Sequence, residues 1–253
     1  MADHPSRQRA FCTANPVLEC DLCLAGPAGE AVGNGSPDRC MGQAMKYHVE
    51  GLPKKQIKVL KALGPHMTAQ GFYLAGGTAL AIHFGHRISV DLDWFTPQPF
   101  EDALLLAQTL RNSGLELQLG QVSAGTLHGS IQDVRVTFLQ YQYPMLKPPL
   151  YWKAVECNLA ALEDLACMKL SAIAQRGARK DFCDLYALGT TSFSLQEMLG
   201  FYQRKFAIRD IGSVLYGLVY FDDAESERMP RMLWDVTWRE IKKTILEWVK
   251  GVS

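Results

Sequence analysis

The chain carries no net formal charge, 26 basic residues standing against 26 acidic ones. It therefore lacks the overall positive field that gathers nucleic acid, and any RNA contact must come from local patches. It also lacks a long apolar run: no segment approaches 18 uninterrupted apolar residues, and the N-terminus has no signal-peptide core. A membrane span is excluded on that ground, and a cytoplasmic location is expected. Cysteine is scarce beyond residue 44. Cys157, Cys167 and Cys183 read as reduced core or helix thiols, and nothing near Cys183 supplies the base a nucleophile needs. No internal repeat or low-complexity tract is present, which excludes a solenoid.

Residues 1–44 hold the other four cysteines, Cys12, Cys20, Cys23 and Cys40, among many Gly, Pro and Ala, with no sustained helix or strand period. Cys20 and Cys23 form a Cys-x-x-Cys, but the paired repetition of a zinc ribbon is missing. The segment reads as a disordered arm, or as an extension ahead of a true start at Met41 or Met45. At 253 residues and 48% hydrophobic content, the remainder can bury a substantial core.

The most informative stretch is LAGGTALAIHFGHRISVDLDWF, residues 74–95. It orders a short apolar strand, a Gly-Gly-Thr turn, a helix, and a strand with two aspartates one residue apart. Gly76 and Gly77 lack Cβ atoms, so the backbone can approach a ligand, while Thr78 brings a hydroxyl and an amide to a helix start. A triphosphate suits such a turn. Asp91 and Asp93 fall at i and i+2 of a strand, so both carboxylates project from one face about 7 Å apart. That spacing suits one or two Mg²⁺ (or Mn²⁺) ions shared with phosphate oxygens. The apolar alternation of Val90, Leu92 and Trp94 predicts a buried opposite face. Either half alone is weak, since Gly-Gly-Thr is usually a tight turn and Asp-x-Asp is common. Their separation by a single helix joins them into a nucleotidyltransferase site.

A second block, LEDLACMKLSAIAQRGARKDFCDLYAL at 162–188, carries the cations a triphosphate needs. Lys169 and Arg176 stand at i and i+7 of a helix, so both ends point to one side. Gly177 is expected to break that helix, and a second begins near Ala178. There Asp181 and Asp184 share a face and Lys180 is placed to pair with Asp184. The plain reading of this block is a solvated charged face, and the first block is what overrides it.

At these residues the chain resembles a known family. GGTALAIHFGHRISVDLDWF, with the His86, Arg87 and Ser89 lead-in to the acidic pair, is similar to the signature of the AbiEii/AbiGii-type nucleotidyltransferase toxins. These belong to the DNA polymerase β-like nucleotidyltransferase superfamily. The second block resembles the family's Lys, Arg and Lys-Asp-x-x-Asp-Leu element, and the resemblance runs over roughly residues 46–205. It implies transfer of an NMP from an NTP to an acceptor hydroxyl, with Asp91 and Asp93 holding metal. Gly76, Gly77, Thr78, Arg87, Lys169, Arg176 and Lys180 would contact the nucleotide, and Asp181 or Asp184 would orient Lys169 or a metal-bound water. It further implies the toxin half of a type IV toxin–antitoxin or abortive-infection pair, with tRNA as acceptor and a winged-helix antitoxin as partner. One position departs from the pattern. The superfamily places a third carboxylate on a later strand, and in DVRVTFLQY, residues 133–141, Thr137 occupies that place. Asp133 lies four residues away, about 13 Å along a strand, and serves as metal ligand only with a register shift.

The remaining chain is read coarsely. Helices are expected over 54–70 and past Pro99 to Gly114, and strands near 115–122, 126–131 and 133–140. From Asn158 onward the pattern is helical, with capping boxes at Ser194/Glu197 and Thr237/Glu240. Trp238, Ile241, Ile245, Leu246 and Val249 give the last helix an apolar side, and Arg239, Lys242 and Lys243 a wet one. The architecture expected is α+β: a nucleotidyltransferase-type mixed sheet flanked by helices in 45–150, then a helical half in 151–253 that completes the nucleotide site. The proline- and aromatic-rich stretch 141–152 reads as the linker. Two rival functions remain open. One is a nucleotide-binding interaction protein that has lost transfer activity, and the other is an NTP-dependent phosphotransferase acting on protein.

Overall fold

The computed structural model describes residues 47–99 and 103–252, so the readings of the first 44 residues and their four cysteines lie outside the described residues. The chain opens with α1 (Lys54–Ala69), whose Val59, Leu60, Leu63 and Met67 are buried along one stripe. Next come β1 (Tyr73–Leu74), α2 (Gly76–Phe84), β2 (Leu92–Thr96) and α3 (Ala103–Asn112). A meander of β3 (Gln118–Ser123), β4 (Thr126–Ile131) and β5 (Val134–Gln140) follows.

The stretch read as a linker holds a strand. Leu150–Trp152 forms β6 and pairs antiparallel with β7 (Cys157–Leu159), and β7 runs parallel to β1. The signal was hidden by length, since strands of three residues are too short to show a period. Helices then take over: α4 (Leu162–Arg176), α5 (Arg179–Thr191), α6 (Leu195–Phe206), α7 (Gly212–Val219), α8 (Asp222–Glu225) and α9 (Trp238–Lys250). Both expected capping boxes are present, at Ser194/Glu197 and Thr237/Glu240. No helix among the described residues is long and apolar enough to cross a membrane.

The mixed sheet has the strand order β3-β4-β5-β2-β1-β7-β6. Strand alternation divides its side chains between two cores. Leu74, Leu92, Trp94 and Phe138 face α1 and α3, while Tyr73 and Ala75 face α2 and the later helices. The buried face of β2 begins at Leu92, because Val90 is 43% exposed ahead of the strand. This places Asp91, Asp93 and Phe95 on the face that looks toward α4, where the sheet and the helical half meet.

The end of the chain returns to the site. The segment before α9 pairs with the residues after α2: the Ile88 amide donates to the Arg231 carbonyl at 2.8 Å, and the Leu233 amide to the His86 carbonyl at 2.8 Å. α9 buries Ile241 and Ile245 fully, while Leu246 sits at the margin of its apolar side.

Candidate active site

The expected glycine turn is the first turn of α2 itself. Gly76 has φ +66°, a left-handed conformation that a Cβ would strain, and a Cβ there would stand 2.9 Å from Asp93 Oδ2. The Asp93 carboxylate thus lies directly over the start of the helix. The amides of this first turn have no acceptor within their own helix. Thr78 departs from its expected role. It is buried, its hydroxyl hydrogen-bonds Ser89 Oγ at 2.8 Å and donates to the Asp91 carbonyl, and it is absent from the cavity wall. Its hydroxyl fixes the acidic strand to the helix instead of seating phosphate.

Asp91 and Asp93 share one sheet face as the spacing predicted, although Asp91 stands just ahead of β2. Burial, and then the neighbouring Asp91 charge, push the Asp93 carboxyl above its usual range, against the Thr137 hydroxyl and the Lys169 and Lys180 ammonium groups. Asp91 Oδ1 lies 2.8 Å from Arg135 Nε but is buried without hydrogen-bond geometry to any partner. A buried carboxylate pushed up by a second one beside it is stabilised as the anion by a bound cation, which is the condition of a cation site. Among the described residues no third His, Cys, Asp or Glu joins them in a cluster of three.

The cations facing the pair belong to a buried network. Asp184 accepts from Arg87 Nε at 2.7 Å and Nη2 at 2.8 Å, and from His86 Nε2 at 2.7 Å. Lys169 Nζ stands 2.6 Å from Asp184 and 3.0 Å from Asp181. Arg176 holds Asp181 by two contacts of 2.8 and 3.0 Å. Burial would raise the Asp184 carboxyl, yet the Arg87 and Lys169 charges hold it well below the carboxylate range. Burial pushes the His86 imidazole down, against the Asp184 carboxylate that faces its Nε2. Three cations against two carboxylates leave surplus positive charge on this wall. Lys180, expected to pair with Asp184, stands exposed on the cavity wall instead, because Arg87 and Lys169 already fill Asp184.

These groups converge on one cavity of about 790 Å³. Its wall includes Gly76, Gly77, Arg87, Asp91, Asp93, Lys169, Arg176 and Lys180. Asp133 is not brought there. It occupies the two-residue turn between β4 and β5 with Gln132, both at positive φ, is exposed, and pairs with Lys55 at 2.6 Å. Asp tolerates that left-handed turn conformation, and the turn explains its presence. Thr137 stands directly opposite Asp93 in the β2–β5 ladder, at the position assigned to the missing carboxylate.

Several wall residues gave no signal in the sequence. Arg231 arrives from the segment before α9, far along the chain, and His128 from the polar face of β4. At the other end Phe95, Tyr141, Tyr143 and Phe206 follow one another with ring centroids 5.6, 5.1 and 4.7 Å apart. A buried ion pair holds that end: Lys205 Nζ lies 2.6 Å from Asp164 and 2.9 Å from the Pro144 carbonyl, under the Tyr141 ring. Asp164 also accepts the Leu146 and Lys147 amides at 3.1 Å. Asp164 and Lys205 are 41 residues apart, so no local pattern announces them.

A family model described as the nucleotidyl transferase AbiEii toxin of type IV toxin–antitoxin systems matches residues 58–145 and 99–248. An uncharacterised protein of Aquifex aeolicus is 34% identical over 201 residues, covering 79% of this chain and 96% of its own. Among solved structures, the nucleotidyltransferase toxin MenT4 of Mycobacterium tuberculosis aligns at TM-score 0.49 and 14% identity, covering 78% of this chain and 84% of that one. The Megavirus polyadenylate synthase aligns at TM-score 0.42 and 15% identity over 54% of this chain. This chain spans 31% of that enzyme's length.

Proposed function

The chain belongs to the AbiEii nucleotidyltransferase toxin family and is a nucleotidyltransferase, and from that premise we propose that it moves an NMP from an NTP to an acceptor hydroxyl and releases pyrophosphate. The single observation that carries this reading is the convergence of Asp91, Asp93, the first turn of α2, Lys169 and Arg176 on one cavity. Asp91 and Asp93 are the residues that would hold Mg²⁺, with phosphate oxygens of the nucleotide completing the ligand set. Such an ion, when bound, neutralises the α-phosphate and lowers the pKa of an attacking hydroxyl.

The chain's own groups do the rest. The first-turn amides of α2 point their dipoles at phosphate. Lys169 and Arg176, fixed by Asp181 and Asp184, stabilise charge on the departing pyrophosphate without having to reorganise. Arg87 acts through Asp184 to fix Lys169, and Lys180 is the cation placed to move onto the phosphates. The aromatic end suits a nucleobase, because every base offers a face for stacking. On this reading the protein is the toxin of a type IV pair, as the family description supports, and we take tRNA as the acceptor and a winged-helix antitoxin as the partner.

Incubating the protein with α-labelled NTPs, Mg²⁺ and total RNA tests this. We expect label in RNA with the native chain, and a loss of more than about a hundredfold with Asp93→Ala. Thr137 in place of a carboxylate favours a second reading, a nucleotide binder without transfer. That reading predicts Mg²⁺-dependent NTP binding with no label in RNA or protein. Label retained on protein from γ-labelled NTP would instead mark a phosphotransferase.

A further inference from the structure

The position left without a carboxylate is flanked by an imidazole. The register across three strands aligns Asp93 of β2 with Thr137 of β5, and Thr137 with His128 of β4. Strand alternation puts all three side chains on one sheet face, and all three line the cavity. The Thr137 hydroxyl donates toward the Asp93 carboxylate, and His128 Nδ1 lies 3.4 Å from Thr137 Oγ1. A hydroxyl that donates to Asp93 is free to accept from Nδ1–H. The row therefore favours the tautomer with its proton on Nδ1, leaving the Nε2 lone pair free. The same orienting logic governs any base held in one tautomer by a neighbouring acceptor.

We infer that His128 is the proton acceptor for the attacking hydroxyl, standing in for the carboxylate that Thr137 replaces, with Thr137 as the residue that positions it. The inference rests on the transfer reading given above. In the step, the acceptor O–H gives its proton to Nε2 and its oxygen forms a bond to the α-phosphorus. The bond from that phosphorus to the β-phosphate oxygen breaks, pyrophosphate leaves with the electron pair, and the imidazolium later returns its proton to solvent. Ser and Thr hydroxyls are too weakly basic to take the proton themselves, so a threonine at this place has no use as a base. His128 is the nitrogen base adjoining it. The side chain is exposed on the cavity side of β4, so its replacement leaves the core of the sheet untouched.

Single-turnover transfer from α-labelled NTP to total RNA, with NTP binding measured in parallel, tests the assignment. His128→Ala is expected to slow transfer about a hundredfold or more, with NTP binding unchanged. Added imidazole restores part of the rate, and so does Thr137→Asp introduced into the His128→Ala chain, because each returns a base to the same place. Undiminished transfer by His128→Ala overturns the assignment. So does a slow variant that neither imidazole nor the restored carboxylate rescues, since a purely structural role would behave that way. If the native chain itself transfers nothing, the transfer reading falls and this inference falls with it. If the native chain is active, Asp93→Ala inactive and His128→Ala normal, only the inference is lost.

Discussion

Gly77 shows how one hydrogen atom in place of a methyl group decides the site. A Cβ there would lie 2.2 Å from Arg87 Nη2, and that guanidinium is held on Asp184 by two hydrogen bonds, so it has nowhere to retreat. Gly77→Ala should therefore cost about 1–3 kcal/mol, the range for overpacking a fixed interior. Urea unfolding of the native chain and the variant measures it, and an unchanged midpoint would show that Arg87 is free to shift. From the sequence, glycine here is expected to serve the close approach of a ligand. The close approach is real, but for Gly77 the group that approaches is Arg87, whose side chain arrives from beyond α2. Thr78 went the same way: a hydroxyl expected on phosphate turns inward to the Asp91 carbonyl, because the strand it precedes folds back beside it.

Among the elements, α4, α5 and the segment that follows α2 are locked together by Asp184, which is fully buried and touches His86, Arg87 and Lys169. Asp184→Asn leaves two buried cations short of a counter-charge, and should destabilise the fold by about 3–5 kcal/mol at neutral pH. The pH dependence has a definite sign. The folded-state carboxyl lies well below its ordinary value of 3.8, held there by Arg87 and Lys169 against burial. Its contribution is complete above that ordinary value and disappears as the pH falls from it through the lower folded-state value. Unfolding followed from pH 7 to pH 2 should show the native chain losing this advantage and the variant, with no proton to take up there, losing less. Parallel curves would contradict the assignment. Most of this framework was readable from the chain: the helix break at Gly177, the shared face of Asp181 and Asp184, and the common side of Lys169 and Arg176 all follow from helical spacing. What spacing does not reveal is which partner wins. Lys180 is correctly spaced for Asp184, yet Arg87, 97 residues away, takes the place with a bidentate contact.

At the scale of the molecule, the site is built where a sheet carrying negative charge meets helices carrying positive charge. Asp91, Asp93 and the first turn of α2 come from one side, and Lys169, Arg176 and Lys180 from the other. The three strands over 115–140 lie close to where the sequence predicts them, because Gly and turn residues punctuate that meander. By contrast β6 and β7, three residues each, gave no period to read. The cavity's aromatic end and Arg231 depend on contacts across long separations, which a single sequence does not express. The whole account requires that the two sides act on a single nucleotide. The direct test is a crystal structure with Mg²⁺ and a non-hydrolysable NTP analogue. The account predicts the metal on Asp91 and Asp93, the phosphates between the α2 first turn and the Lys169, Arg176 and Lys180 wall, and the base among Phe95, Tyr141, Tyr143 and Phe206. A nucleotide bound elsewhere, or one whose phosphates avoid either the acidic pair or that cationic wall, would contradict it.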